Sequence, residues 1–265
     1  MNRRFLRLWI FVFLLLALGR PSGAAVWEIN VNTIVTPAGK RIQHPTSGNP
    51  AFYYPYVIGY EEVGSIAAGN KIPADAAIKH AIAEALASQG YFVTHVNGTK
   101  LDPPPSLILV LRWGNISAVR YDDVDDNGAR THNYNERAHQ KEMLLVGVKL
   151  SDFGDDRLVK KDLISSADKN RYYVVISAYD FGTYYTKHKT VLLWISRMSV
   201  SRQDLDLDQV IPSLISAGTP FLGRETLEPR IIDVQAPTGK VDIGTPMIKG
   251  YVEPGTTKPG ASAQP

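Results

Sequence analysis

The chain has 265 residues, enough for one domain with a sizeable core or for two small ones. It contains no cysteine, which excludes disulfides, thiolate metal sites and a cysteine nucleophile. Four arginines (3, 4, 7 and 20) lie in the first 25 residues, so removing that segment turns a formal charge of +3 into −1. The overall basicity is therefore no argument for a nucleic-acid partner.

Residues 1–25 have the layout of a secretory signal peptide. Arg3, Arg4 and Arg7 precede an apolar run from Leu8 to Leu18, and small residues Ser22 to Ala25 follow Pro21. That run is short for a membrane span, so no transmembrane segment is expected once the signal is removed. Retention as an N-terminal anchor is the alternative. The expected location is the periplasm or the extracellular space.

Residues 26–235 are expected to form a single α+β domain. Val26–Val35 alternates as a first strand, and 36–50 reads as loop. The run Phe52–Ile58 is aromatic and β-prone, with Pro55 marking an edge or a break. Its rings are expected to cap the core; a sugar or peptide platform is the other reading. Residues 73–89 form the clearest helix, with Ile78, Ile82 and Leu86 at i, i+4 and i+8, and Gly90 as the stop. His80 and Glu84 sit four apart on it and read as a surface pair. A strand over 91–96 follows. If it runs parallel beside 52–58, the helix is a crossover.

Leu107–Leu111 is five aliphatics in a row, a strand of the central type. A helix is predicted over 135–146, with Asn135 as N-cap and Gly147 as stop. A short one is predicted near 161–167. The runs from Tyr172 to Asp180 and from His188 to Ile195 are strand-length and rich in β-branched and aromatic residues, and read as a hairpin over 172–200. A second main helix is expected over 208–217, capped by Asp208, with Val210, Ile211, Leu214 and Ile215 buried. Ile231 and Ile232 suggest a last short strand. The expected architecture is a central mixed or antiparallel sheet with two main helices, 73–89 and 208–217, packed on it. Residues 236–265, punctuated by five prolines, are expected to be a disordered tail.

Three stretches carry a family resemblance: the helix end Ala85–Tyr91, the strand Leu107–Trp113, and the pair Ala178-Tyr179-Asp180 with Leu192-Leu193-Trp194. Together they resemble small bacterial cell-envelope α+β domains of unknown function, many of them lipoproteins, over about residues 53–200. The chain lacks their lipobox cysteine and carries a long insertion at 114–171. The resemblance implies an α+β envelope domain and supplies no catalytic residues to carry over.

Asp123-Val124-Asp125-Asp126-Asn127-Gly128 matches the first half of a calcium loop, in which alternate oxygens converge on one ion. Position twelve is Tyr134, where the bidentate glutamate belongs, and Glu136 lies two further on. The candidate calcium ligands are Asp123, Asp125, Asn127 and Glu136, against a solvated acidic loop as the plainer reading. His132 and His139 are a weaker candidate pair for a transition metal. No nucleophile elbow, phosphate loop or dinucleotide fingerprint occurs. Asp180, ending a strand, is either an acid–base residue or a turn cap.

The sequence thus points to an exported binding or structural module that is not an enzyme, with an envelope protein or small ligand as partner. The alternatives are an exported hydrolase using Asp180 or the 122–136 acidic loop, and a calcium-stabilised binding protein.

Overall fold

The computed structural model describes residues 26–64, 72, 74–117, 121–124, 130–133, 136–148, 170–202 and 205–235, with backbone alone at 121–124, 130–133 and 136. The expected signal segment, the short helix near 161–167, the N-cap Asn135 and the expected tail lie outside these residues.

Eleven strands and four α-helices occur among the described residues. The strands are β1 (Val26–Val35), β2 (Ala51–Gly64), β3 (Tyr91–Val93), β4 (His95–Asn97), β5 (Lys100–Asp102), β6 (Leu107–Ser117), β7 (Tyr121–Val124), β8 (Arg130–Asn133), β9 (Arg171–Asp180), β10 (Leu192–Ser201) and β11 (Arg230–Gln235). The helices are α1 (Asp75–Ser88), α2 (Glu136–Val146), α3 (Phe181–Lys187) and α4 (Leu207–Gly218).

Seven strands form one mixed sheet in the order β11-β1-β10-β9-β6-β2-β3. β2 runs parallel to both β3 and β6, and the other neighbours are antiparallel. α1 links the parallel pair β2 and β3, as a crossover must. β4–β5 and β7–β8 are separate two-stranded ribbons. The long apolar runs therefore lie at the centre of the sheet, where burial on one or both faces rewards them.

The two faces differ. On the first, alternate side chains of the central strands (Leu109, Leu111, Trp113, Val174, Ile176) pack with Ile82 and Leu86 of α1 and Val210, Ile211 and Leu214 of α4. The buried stripes of both helices follow the i, i+3/i+4 spacing that makes one helix face apolar. On the second face, α2 sets Ala138 and Leu145 against Ile116, Tyr173 and Val175.

This second layer has a polar underside. Arg171 is 1% exposed, and Glu142 of α2 is fully buried. Arg171 donates from Nε to Ser199 Oγ at 3.1 Å and from Nη2 to the Ser199 carbonyl at 3.3 Å. Burial pushes the guanidinium down to about 10, and the Glu142 carboxylate beside it pulls the other way.

Several expectations need correction. The expected two main helices, 73–89 and 208–217, are present as α1 and α4, but α2 and α3 make four. Residues 181–187, read as the loop of a hairpin, form α3; β9 and β10 still pair antiparallel on either side of it. Residues 91–96 do not make one strand: the chain leaves the sheet after Val93, and β4 pairs with β5 instead. α4 begins one residue early, with Asp206 at the N-cap position and Asp208 in the first turn.

Candidate functional site

Among the described residues, α2 covers the second face of the sheet over only part of its length. At the other end an open groove of about 810 Å³ lies over β9, β6 and β2. Its floor follows from register. Tyr179, Ile108 and Tyr54 are cross-strand partners, as are Val110 and Tyr56 one pleat further on. Side chains alternate along a strand, so Tyr54 and Tyr56 share this face while Tyr53 points into the core. Tyr53 is accordingly buried, and Tyr56 is 58% exposed.

Two walls rise beside the floor. One is α3, which directs Phe181, Tyr184 and Tyr185 into the groove; the Phe181 and Tyr185 rings stack at 5.8 Å between centroids. These positions are i, i+3 and i+4, one helix face. The other wall is the β4–β5 ribbon, where Val96 and Leu101 are direct cross-strand partners. Thr190 completes the lining. Both walls expose apolar side chains to solvent, Tyr185 at 72% and Val96 at 68%. A contiguous apolar surface of this kind marks an interaction site more often than a scattered exposed leucine does.

Two glycines fit β2 against β6 where the floor meets the α2-covered part. At Gly59, with φ +88°, the pairing shifts register between Val57 and Gly59, a bulge that leaves Ile58 unpaired. At Gly114 a Cβ would fall 1.8 Å from the Glu61 carbonyl oxygen, so only glycine permits the approach.

Asp180 stands beside this groove and is not among its lining residues. One carboxylate oxygen accepts the Thr183 backbone N–H at 2.5 Å and caps α3. The short helix that forms one wall thus depends on that carboxylate. Asp180 also lines a smaller cavity of about 120 Å³ with His44, Ser106 and Tyr91. There the His44 ring lies between the Pro45 carbonyl, 2.9 Å from Nδ1, and the Leu222 carbonyl, 3.0 Å from Nε2, and a neutral imidazole can donate to only one of them. The Ser106 hydroxyl donates to the Phe52 carbonyl at 3.3 Å. Asp180, His44 and Ser106 each have a backbone partner.

The sequence-derived calcium ligands fall as follows. Asp123 is in β7, cross-strand from Thr131. Asp125 and Asn127 lie outside the described residues, and Glu136 is the first residue of α2. Among the described residues no group of three or more His, Asp or Glu side chains is placed to hold a metal. His132 is in β8 and His139 in α2, so no single helix aligns them. His80 and Glu84 meet at 3.2 Å on the exposed side of α1, a surface pair as read. No helix among the described residues is long and apolar enough to cross a membrane.

The rings of Phe52–Ile58 were expected to cap the core, with an exposed platform as the other reading; Tyr53 is buried, but Tyr54 and Tyr56 lie exposed on the floor of the groove. Its signal was Tyr54 and Tyr56 at spacing two on a strand, which places both rings on one face. The neighbours that complete it come from residues some 40 to 135 positions away.

No protein-family model matches the chain, and no curated protein matches it. Among solved structures, a PDZ domain protein from Parabacteroides distasonis ATCC 8503 is similar at 13% identity and a TM-score of 0.37. That match covers 80% of this chain and 39% of the other, so the chain spans about two fifths of that protein's length. Two structures of a PelC dodecamer from Paraburkholderia phytofirmans are similar at 10% identity, with TM-scores of 0.32 and 0.31. They are covered over 98% and 99% of their length and cover 74% and 76% of this chain. Likenesses this distant carry no argument about fold or function.

Proposed function

We propose that the protein is an exported cell-envelope binding module without a catalytic step, and that its ligand sits in the groove over β9, β6 and β2. The observation that carries this reading is the lining itself. Eleven side chains surround the groove, six of them aromatic, and none is a carboxylate, amide, histidine or cation. Such a surface can desolvate and orient an apolar body, and its only ionisable side chains are tyrosines. Its volume falls within the range of ordinary small-ligand sites. The leader-like segment 1–25 and the resemblance to envelope domains support the location. The engagement of Asp180 in capping weighs against the hydrolase reading.

The test is saturable binding of Nile red, a neutral apolar fluorophore, to the full chain, to Tyr56→Ser and to Val110→Asp. Tyr56 is exposed and Val110 half-buried, so both variants should fold, which an unchanged far-ultraviolet spectrum would establish. The expectation is that Val110→Asp abolishes binding and Tyr56→Ser weakens it. Binding that survives Val110→Asp unchanged would remove the groove from consideration.

A further inference from the structure

We propose that the ligand of the groove is a polypeptide segment, which adds as an extended strand to the free side of β2 and sets alternate side chains beside Tyr54 and Tyr56. This names the class of molecule the groove takes and rests on that reading.

The free side of β2 offers main-chain groups. β3 pairs with β2 at Ala51–Tyr53 alone, and the Thr94 N–H then donates to the Tyr53 carbonyl at 2.9 Å. From Tyr54 to Gly64 β2 is paired with β6 on one side, and no described strand lies on the other. Two bonds fix which groups point outward. The Tyr53 carbonyl faces Thr94, and the Phe52 carbonyl accepts the Ser106 N–H at 2.8 Å on the β6 side. Successive residues of a strand direct their N–H and C=O to opposite sides, so Pro55 and Val57 direct theirs outward. Proline has no N–H, and the open side of an edge is where a strand tolerates it. The Pro55 carbonyl and both main-chain groups of Val57 are left for an added strand to bond. An acyl chain or a sugar can cover the tyrosine rings, but neither matches the alternating donors and acceptors of an edge.

The side chains along this edge are large, apolar and open. Tyr54, Tyr56, Val57 and Ile58 are between 36% and 58% exposed. An added strand lies about 4.8 Å beyond β2. It extends the rows Tyr179–Ile108–Tyr54 and Ser177–Val110–Tyr56 by one position each. Its residues on that face widen the floor of the groove, and those on the other face meet Val57.

Charge sets the composition of the partner. Beyond the bulge, β2 carries Glu61 and Glu62 in succession, and Asp75 Oδ2 lies 3.9 Å from where a Cβ on Gly59 would sit. Two cations stand against these three carboxylates. Arg112 Nη1 is 3.7 Å from Glu61, and Lys79 Nζ is 3.8 Å from Asp75, both long for a charge-assisted bond. The net negative field suits a lysine or arginine in the partner. A second copy of β2 has no basic residue between Tyr54 and Gly64 and cannot meet that charge.

The probe is the capped peptide Lys-Val-Thr-Val-Thr-Val-Lys, about 23 Å long when extended, which presents a lysine to the Glu61 end in either direction. Two controls keep its length: one with glutamate at both ends, and one with its five central amides N-methylated. Calorimetry of the full chain should show saturable binding of the first, at least about tenfold tighter than the second, the factor that one charge-assisted bond provides. The third should not bind, and the first should displace Nile red. Val57→Pro removes an outward N–H and no bond to β6; it should lose the peptide and keep the dye, with an unchanged far-ultraviolet spectrum. Glu61→Gln should narrow the preference for lysine ends. Equal binding of the methylated peptide, or unchanged peptide binding in Val57→Pro, would sink the proposal while the groove reading stood. So would no peptide binding at millimolar concentration where Val110→Asp still abolishes dye binding. A dimer that Val57→Pro dissociates would give the edge to a second copy and likewise overturn it. Dye binding unaffected by Val110→Asp would bring down both.

Discussion

Buried phenols make the fold sensitive to alkali, and three of them carry the largest shifts. Tyr53, Tyr91 and Tyr173 are between 2% and 4% exposed. Desolvation pushes Tyr53 up to about 12 and raises Tyr91 and Tyr173 further still. Beside Tyr173, the Glu61 carboxylate adds to the rise, and Arg112 opposes it. The unfolded chain ionises these groups near pH 10, so in the window from there to 12 it binds fewer protons than the folded protein. Stability must then fall as pH rises. At pH 11 each phenol costs about 1.4 kcal/mol, or about 4 kcal/mol for three, a large part of a typical domain's total. Arg171, pushed down to about 10, acts in the opposite direction and could return about 1.4 kcal/mol if it deprotonated. Arginine holds its proton in nearly every setting, and here Ser199 and Glu142 favour the charged form, so a net loss of about 3–4 kcal/mol is expected. Urea unfolding followed by circular dichroism at pH 8 and pH 11 measures it. Tyr53→Phe should recover about a third of the loss, because it removes one of three comparable groups. Midpoints that coincide at the two pH values would refute the reasoning, as would phenolate absorbance showing all tyrosines of the folded protein ionised near pH 10.

Three further outcomes are expected. Glu142→Ala leaves Arg171 buried without its nearest carboxylate and should cost about 3–5 kcal/mol in urea unfolding, much of it regained in Glu142→Ala/Arg171→Met; a double variant no more stable than the single one would disprove the coupling. Asp180→Ala removes the cap of α3 and should lower stability by about 1 kcal/mol while weakening Nile red binding through the disturbed wall; hydrolytic turnover lost with this substitution would instead restore the catalytic reading. The melting temperature should be the same in EDTA and in millimolar calcium, since Tyr134 replaces the bidentate glutamate and Asp123 sits in a paired strand. A saturable rise, worth about 2.7 kcal/mol at a hundredfold excess over Kd, would assign Asp123, Asp125, Asn127 and Glu136 to the ion.

What could be read from the sequence was whatever depends on local period. α1, α2 and α4 have their apolar residues at helical spacing and end at or just before Gly90, Gly147 and Gly218/Thr219, close to where they were expected. β6 and β9 are too uniformly apolar to be anything but central strands. α3 was missed because a seven-residue helix has too few residues to show a period, and its aromatics and Gly182 resemble the loop of a hairpin. What fixes it is Asp180, whose carboxylate holds the first turn. The break after Val93 was missed for a related reason: the run of strand-like residues continues to Val96, but the partner changes from β2 to β5.

The groove was illegible for a different reason, and that reason also explains its chemistry. Phe52–Ile58 reads as a block of aromatics, whereas the pleat divides it, sending Tyr53 inward to Leu107 and setting Tyr54 and Tyr56 beside Ile108 and Val110. Which faces are covered is decided by α2, and α2 lies over the end of the sheet that carries Arg171 and Ser199. Burying a charge requires partners on the covering element, and Glu142 supplies one. The apolar end needs no such partner and is left open. Arg112 and Arg197 stand on the boundary, single charges inside strands otherwise built from apolar and small residues. That is the one sequence signal for this seam: a lone arginine in each of two central strands, brought to the same row only when β9 is placed between them. A sheet stabilised for its own sake would put valine or threonine at both positions, because a buried guanidinium with an unused donor lowers stability.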